Sequence, residues 1–466
     1  MRQRIIALLL VLVLTLSLCA VSAVAGEEPK DQTEATGTEE TAEGSAEGET
    51  AEDSADSEEL EDPISPAGPD AAEEDETQWE TALDEETEKL LEKVTLTAEK
   101  LDSIAYADVE SRMRAGNLTV LSLQESVDML KSIDYDKLKD DLREQLNDIA
   151  QGQWFMVQMG QTGTLAYEQM DQAYDAVREQ FDAIKDGEMQ EDNAGVIRQL
   201  KNVQDQVIMA GEATYVALVA LEVQEASLQR QLAAMNRTVE EMELRYNMGQ
   251  ISALQLSEVK AGQTALASGL STLQMNIRNY KAQFETMLGA EMTGEIQLGA
   301  VPEVTEKELA AMDLEQDLLT AKAQSYELYA AAKTLEEEQE TYKEAGKDYG
   351  YNEKKLEFRR AKHNWQAAQY TYNSTIQEYE LKFRTLYAQV QDYKQILNAA
   401  KVSLESEKLS FAASELKYQQ GTISQNAYLT AQDELKAAEE AVQTAANDLF
   451  SSYNTYCWAV QHGILN

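Results

Sequence analysis

The chain has 466 residues, of which 43% are apolar and 27% charged, and its formal net charge at pH 7 is −46. This acidic balance disfavours nucleic-acid binding, because the recognition of phosphates needs clustered Lys and Arg. Only 5 Pro and 22 Gly interrupt the chain, and strand-forming residues never cluster in alternating runs between turn residues, so the composition favours long helices over a β-rich body.

Residues 1–25 are typical of a signal peptide. Two arginines supply the positive end, residues 5–18 are apolar, and Ala23-Val24-Ala25 offers small residues at a cleavage site. Lipidation at Cys19 is the alternative. No later segment approaches the ~20 apolar residues of a membrane-spanning helix, so we expect an exported chain without a helical anchor of its own.

Residues 26–78 are predicted to be an acidic disordered linker. The segment is rich in Glu, Ala, Ser, Thr and Gly, with about twenty acidic residues and almost no large apolar ones. Such a segment cannot bury enough apolar surface to offset the entropy lost on ordering. It is either a solvated tether or an arm that contacts divalent cations or the cell wall.

Helical spacing of apolar residues begins at Trp79. Leu138, Leu142, Leu146 and Ile149 lie on one stripe, and a second apolar run extends over 200–239. Residues 353–418 contain neither Pro nor Gly. A helix of that length spans on the order of 100 Å, so its apolar stripe must be buried against neighbours.

Glycine and proline mark the expected breaks between these helices. Turns are predicted at 185–195 and at 345–351, and a kink or short loop is expected between Gly152 and Gly163. The segment 299–303, which contains Pro302, separates two halves of the helical region.

The strongest feature is an internal repeat. The segment 244–252, LRYNMGQIS, recurs as 416–424, LKYQQGTIS. Leu, a basic residue, Tyr, Gly, Ile and Ser coincide in the two copies. A long helical stretch precedes each copy and an Ala-rich one follows it, so the chain contains two structural units of the same kind.

Each copy predicts a tight reversal between two antiparallel helices. Glycine can adopt the left-handed conformation that ends a helix, and a basic residue before it lies near the negative end of the helix dipole. Serine can then cap the next helix by accepting a backbone N–H. The expected tip residues are Tyr246, Gly249, Ile251, Ser252, Tyr418, Gly421, Ile423 and Ser424.

This pattern of Tyr, Gly and Ile-Ser before an Ala-rich helix resembles the helix–turn–helix tip of TolC-type outer membrane efflux proteins, which carry the unit twice in each chain. The resemblance covers about residues 88–464. It implies an all-α fold of very long antiparallel helical hairpins, coiled-coil-like, in two internal repeats at 79–298 and 299–466.

The resemblance also implies partners. In this family, three chains form a hollow helical cylinder in the cell envelope. The hairpin tips dock on an extracytoplasmic adaptor, a membrane fusion protein, and on an inner-membrane pump. The duct passes substrates without chemistry, so no cofactor, metal or catalytic residue is expected.

Two departures from the family pattern change these expectations. Family members insert two membrane strands in each repeat, and such a pair needs over ~20 residues. The candidate windows, 186–196 and 346–352, are too short and mostly polar, so we expect a TolC-like helical domain without barrel strands, and direct membrane insertion is not predicted. The acid that often follows the tip glycine by six positions is replaced by Gln255 and Ala427, which leaves Glu258 as a possible aperture acid.

Enzymatic function has no support in the sequence. No phosphate-binding loop or nucleophile elbow is present. His363 and His462 are far apart in the chain, and Cys457 is expected to be a buried small hydrophobe. Two functions remain: a TolC-like duct for efflux or export, and a non-transporting helical spacer or scaffold of the cell envelope.

Overall fold

The structure, a computed structural model, describes residues 99–465. The predicted signal peptide, the alternative lipidation at Cys19, the acidic linker and the first residues of the first repeat lie outside the described residues. Within them, the chain forms helices joined by short turns, and its strands are two segments of two residues each. The expected all-α fold of long helical hairpins is confirmed for residues 99–465.

The first half contains six helices and one short strand among the described residues. Its elements are β1 (Ser103–Ile104), α1 (Tyr106–Gly116), α2 (Leu118–Lys131), α3 (Tyr135–Gln158), α4 (Leu165–Asp186), α5 (Glu188–Asn247) and α6 (Ala253–Met287).

The second half follows with a similar order of elements. They are β2 (Gln297–Leu298), α7 (Glu306–Ala311), α8 (Leu314–Gln324), α9 (Tyr326–Tyr349), α10 (Leu356–Gln419) and α11 (Gln425–His462). Strands β1 and β2 pair in parallel and so tie the start of the first half to the connection between the halves.

Two helices dominate the architecture. Helix α5 has 60 residues and α10 has 64, so each is about 90–95 Å long. The uninterrupted helix expected over 353–418 is therefore confirmed. An 18-residue window in α5 also reaches a mean hydropathy of 1.4, although no such segment was expected from the sequence. Of that window, 44% is buried within the protein, where α5 packs against α1, α2 and α11.

The turn predicted at 185–195 is wrong in its extent. Helix α4 ends at Asp186, Gly187 adopts a φ of 88°, and α5 begins at once with Glu188. Two acidic residues in the first turn of α5, Glu188 and Glu191, are favourable at the positive end of the helix dipole. These acidic residues favour a helix through 188–195, a polar segment whose composition is typical of a loop.

The other two predicted breaks are present but displaced. Gly346 is helical, and the chain reverses at Gly350, with a φ of 62°. Gly152 is also helical, and the loop is confined to 159–164. In both cases a glycine inside a helix does not end it, because neighbouring turns continue to supply hydrogen bonds and packing.

The two halves share a further arrangement that their sequences do not reveal. Helices α1 and α8 each have 11 residues and end at a single residue, Asn117 or Ser325, whose side chain caps the following helix. The glycine that ends the last helix of each half packs against this break. A Cβ on Gly289 would lie 2.2 Å from the carbonyl oxygen of Gly116, and one on Gly463 would lie 2.3 Å from the backbone nitrogen of Ser325.

The halves differ at the end of the body away from the repeated motif. In the first half, three helices separate α1 from the long helix α5: α2, α3 and α4, of 14, 24 and 22 residues. In the second half, α9 alone, with 24 residues, separates α8 from the long helix α10. Helices α3 and α4 therefore form an additional hairpin in the first half. Its buried side chains are limited to Leu142 in α3 and Ile184 in α4.

A buried carboxylate joins the two halves in the core. Glu212 on α5 is 6% exposed and accepts hydrogen bonds from Tyr106 Oη (2.9 Å), Asn454 Nδ2 (2.8 Å) and Trp458 Nε1 (2.7 Å). Three donors satisfy the carboxylate and offset the cost of removing it from water. Burial and the adjacent Glu212 raise the pKa of Tyr106, which keeps this hydroxyl a donor.

A second polar contact lies beside this core. Asp205 Oδ2 lies 3.0 Å from His462 Nδ1, and Arg114 donates to Asp205 Oδ1 at 3.0 Å. Burial alone would raise the pKa of Asp205, but the hydrogen bonds and charges of His462 and Arg114 outweigh it and lower that pKa. Helices α1, α5 and α11 are thus linked by charge as well as by packing.

The close approach between α1 and the end of α6 gives a direct test of the fold. A Cβ on Gly116 would lie 2.4 Å from the carbonyl oxygen of Leu288, so we expect Gly116→Ala to lower the free energy of unfolding by about 1–3 kcal/mol. Gly269 in α6 has no neighbour within 4 Å of its Cβ position, so Gly269→Ala should instead raise stability by about 0.5–1 kcal/mol. Urea denaturation of both variants measures the difference, and equal effects would refute the contact.

Candidate docking tips

The first repeated motif forms a tight helical reversal. The backbone N–H of Gly249 donates to Tyr246 O at 2.8 Å, and that of Gln250 donates to Arg245 O at 2.8 Å. Gly249 has a φ of 71°. Ser252 then caps α6, and its partner Gln255 completes a reciprocal capping box. Because orphan groups of both helices are satisfied within the turn, the reversal is built from local residues alone.

The second motif repeats this geometry. The N–H of Gly421 donates to Tyr418 O at 2.9 Å, and that of Thr422 donates to Lys417 O at 2.9 Å. Gly421 has a φ of 69°, and Ser424 caps α11 through Ala427 N. The positive φ at both glycines and the capping by both serines agree with the roles derived from the sequence.

The two tips differ in their aromatic packing. Tyr418 stacks on Tyr428 of α11 with ring centroids 4.7 Å apart, which follows the expectation that the tyrosine packs across the turn. Tyr246 is 43% exposed and lies next to exposed Leu244 and Met248. The isoleucines, Ile251 and Ile423, are half-buried. Leu416 and Tyr418 of the second tip are 55% and 39% exposed, so the first tip presents more apolar surface chiefly through Met248, whose counterpart is Gln420.

Glu258 lies on the exposed face of α6, in the second turn of that helix. No hydrogen bond or ion pair to another described residue holds it. Its carboxylate is free to face a neighbouring molecule, but a single chain does not define an aperture, so its role there stays a prediction.

A row of ionic contacts between α5 and α11 holds the two hairpins side by side. Arg230 forms an ion pair with Glu440 and donates to Asp433 O at 3.1 Å. Arg237 forms an ion pair with Asp433. Nearer the tips, Asn426 Nδ2 donates to Glu241 Oε2 at 3.2 Å. Both tips therefore lie at the same end of the body.

The spacing of these residues explains the contact. Arg230 and Arg237 are seven residues apart on α5, as are Asp433 and Glu440 on α11. A seven-residue interval returns to the same helix face, so two basic residues meet two acidic ones along one seam. The sequence contains this seven-residue spacing, but it does not show that α5 faces α11, so the ion pairs do not follow from the sequence alone.

No metal site accompanies the tips. Within residues 99–465, no group of three or more His, Cys, Asp or Glu side chains is arranged to hold a metal ion. His363 and His462 lie in different helices, and His462 instead contacts Asp205. Cys457 is partly buried, and burial raises the pKa of its thiol, which opposes reactivity.

Comparison with known proteins finds similarity in structure but none in sequence. No family model matches the chain, and no curated protein does either. Among solved structures, the outer-membrane channel OprN is 14% identical, with a TM-score of 0.52, and the match covers 77% of this chain and 90% of that one.

Two further channels are similar over a large part of the chain. The CmeC outer membrane channel of Campylobacter jejuni is 15% identical over 62% of this chain and 68% of that one, with a TM-score of 0.46. The MtrE outer membrane channel of Neisseria gonorrhoeae, in its open state, is 11% identical over 77% and 89%, with a TM-score of 0.43. The match to OprN establishes the shared fold, and the resemblance to TolC-type channels is confirmed at that level.

Replacement of the tip glycines tests the reversals. Because no atom lies within 4 Å of the Cβ position at Gly249, Gly249→Val should lower the free energy of unfolding by about 1–2 kcal/mol through the backbone alone. Gly249→Asn should cost less, since Asn tolerates the left-handed conformation. At Gly421, substitution by Val should likewise lower the free energy of unfolding more than substitution by Asn. Thermal melts of the four variants provide the measurement, and no difference between Val and Asn would contradict the assigned φ.

The seam between the hairpins is testable by a double-mutant cycle. The Arg230 and Glu440 side chains are 15% and 22% exposed, so Arg230→Met and Glu440→Gln should show a coupling energy of about 1–2 kcal/mol. The exposed pair Arg143–Asp140 within α3 is the control and should show almost none. Equal coupling in the two pairs would mean that the seam does not hold α5 against α11.

Proposed function

We propose that this chain is a component of a TolC-like duct in the cell envelope, passing substrates as part of a multi-protein efflux or export system. The observation that carries the proposal is the pair of matching tips at one end of a body that shares its fold with the outer-membrane channel OprN. In this proposal the repeats span 79–298 and 299–466, and the exported chain functions outside the cytoplasm.

The burial pattern supports assembly with further copies. Beyond Leu397, none of the side chains of α10 is buried by the described residues, although this part of the helix runs for about 30 Å. A helix that long needs a covered apolar face. Val402, Leu409 and Leu416 form a heptad-spaced stripe that is 72%, 75% and 55% exposed.

This stripe is suited to a helix of another chain. Apolar residues at every seventh position form a seam that packs against an equivalent helix. A closed ring of chains covers every such face, whereas an open array leaves one uncovered. We therefore propose a homotrimer, the assembly implied by the resemblance, in which α10 contacts a neighbouring chain.

The tips are proposed to dock on an extracytoplasmic adaptor that connects the duct to an inner-membrane pump. Their helices end in complete caps, so the turns are rigid without a partner. Exposed apolar side chains at the first tip, Leu244, Tyr246 and Met248, offer the contacts that such docking needs. Glu258 is the acid that we propose to face the aperture.

The experiment that tests the duct is the native mass and symmetry of the purified protein by cryo-microscopy. The wild type should form closed rings of three chains around a lumen. Val402→Gln, Leu409→Gln and Leu416→Gln together should shift the particle to monomers while helical content by circular dichroism stays unchanged. A matched control replaces three exposed apolar residues outside α10, Met129, Met292 and Leu319, with Gln and should leave the ring intact.

A different result would favour the other function. Monomers or dimers without a lumen in the wild type would exclude the duct and support a helical spacer. Intact rings in the stripe variant would show that α10 is not the contact between chains.

A further inference from the structure

The additional hairpin of the first half ends in an apolar apex. We define the apical segment as residues 149–167, which contain no charged residue in a chain that is 27% charged. Within it, five large apolar side chains are exposed to solvent. They are Trp154 (64%), Phe155 (57%), Val157 (46%), Met159 (60%) and Leu165 (70%).

Contacts between α3 and α4 form the apex. Met170 Cε lies 2.4 Å from the position of a Cβ on Gly152, so the end of the methionine side chain fills the space beside this glycine. Gln153 Nε2 donates to Asp171 Oδ1 at 3.2 Å across the pair. Gly160, with a φ of 69°, closes the turn, and the N–H of Gln161 donates to Met156 O at 3.0 Å. The backbone of the turn is therefore satisfied locally, and the five apolar side chains face the solvent.

The apolar side chains lie on the solvent-facing side of the hairpin. At 100° per residue, Trp154, Phe155 and Val157 span an arc of about 160° around α3, within which Gln158 is the exposed polar residue nearest the turn. Met159 and Leu165 are exposed in the turn and at the start of α4. An exposed apolar surface at the end of a hairpin is suited to contact with an apolar medium.

The composition of the apex favours lipid over a protein partner. The five side chains expose on the order of 500–600 Å² of apolar surface, as much as the largest patch on a typical monomer, and such patches mark membrane or protein contacts. The absence of charge in the apical segment fits the same conclusion, because no complementary charge on a partner is called for and none has to be desolvated. Trp is enriched where a membrane meets water.

We infer that the apical segment inserts shallowly into a phospholipid surface. The exposed Glu168 follows the segment on α4 and sets the depth, since a carboxylate stays in water. From Met156 to Gly160 in the turn, four residues at helical spacing rise only about 6 Å, so the apex reaches one leaflet and does not cross it. The strong negative charge of the chain favours zwitterionic over anionic lipid.

This inference does not rest on the proposed duct, since a spacer would use the same contact. It also differs from the sequence-based expectation of no direct insertion, which considered helices and strands long enough to span a membrane. The apex reaches lipid by another route, through a helical hairpin.

The test uses the fluorescence of Trp154 in the full chain with phosphatidylcholine vesicles that carry bromine near the glycerol backbone. The difference between wild type and Trp154→Phe isolates this residue from the other tryptophans. Most of that difference should be quenched by brominated vesicles and preserved in unbrominated ones. Because the signal reports Trp154 alone, an anchor elsewhere in the chain cannot imitate it.

Two triple variants sharpen the experiment. Phe155→Gln, Val157→Gln and Met159→Gln together should raise the lipid concentration for half-maximal quenching by about tenfold or more. The control with Gln at Met129, Met292 and Leu319 should stay within about twofold of the wild type.

Three results would overturn the inference. They are an unquenched Trp154, equal quenching in the apical triple variant, and a Trp154 emission shift that follows protein concentration in the absence of lipid. The last result would show that the apex binds a second protein copy instead. None of these results depends on ring formation, so the inference and the duct can fail separately.

Discussion

The constraint on which this structure depends is the burial of very long helices. Helices α5 and α10 have 60 and 64 residues, and an isolated helix gains too little from its own hydrogen bonds to be stable along such a length. Each must be covered by other helices. Helices α6 and α11 provide one neighbour each through the tip reversals, and the ionic seam between α5 and α11 provides another.

Coverage within one chain is uneven, and this unevenness relates the fold to its proposed function. Buried side chains of α5 concentrate between Gln204 and Val219, where α1, α11 and the Glu212 hydrogen bonds meet. Toward the tips, burial falls and apolar side chains such as Leu409 remain exposed. A single copy is therefore well packed at its middle and incomplete along the hairpins, as expected of a chain that is completed by its neighbours.

The helical turns at the tips and at the apex differ in the residues that surround them. At the tips, glycine and serine satisfy the backbone groups locally, and charged residues close to the turns keep them soluble. At the apex of the α3–α4 hairpin, the turn is equally well formed, but the surrounding surface carries no charge and exposes Trp154 and Phe155. Helical hairpins of this chain thus end in turns flanked by charged residues at the tips and in a turn without charged residues at the apex.

The sequence by itself determined the features that depend on residues near each other in the chain. The lack of breakers over 353–418 predicted α10, and the Tyr-Gly-Ser pattern predicted both reversals with their capping residues, because helix propensity and capping are local. The tertiary structure alone decided that Glu212 accepts hydrogen bonds from Tyr106, Asn454 and Trp458, that Arg230 pairs with Glu440, and which apolar stripe stays uncovered. These outcomes depend on which helices face each other, and that choice is made by packing between segments hundreds of residues apart.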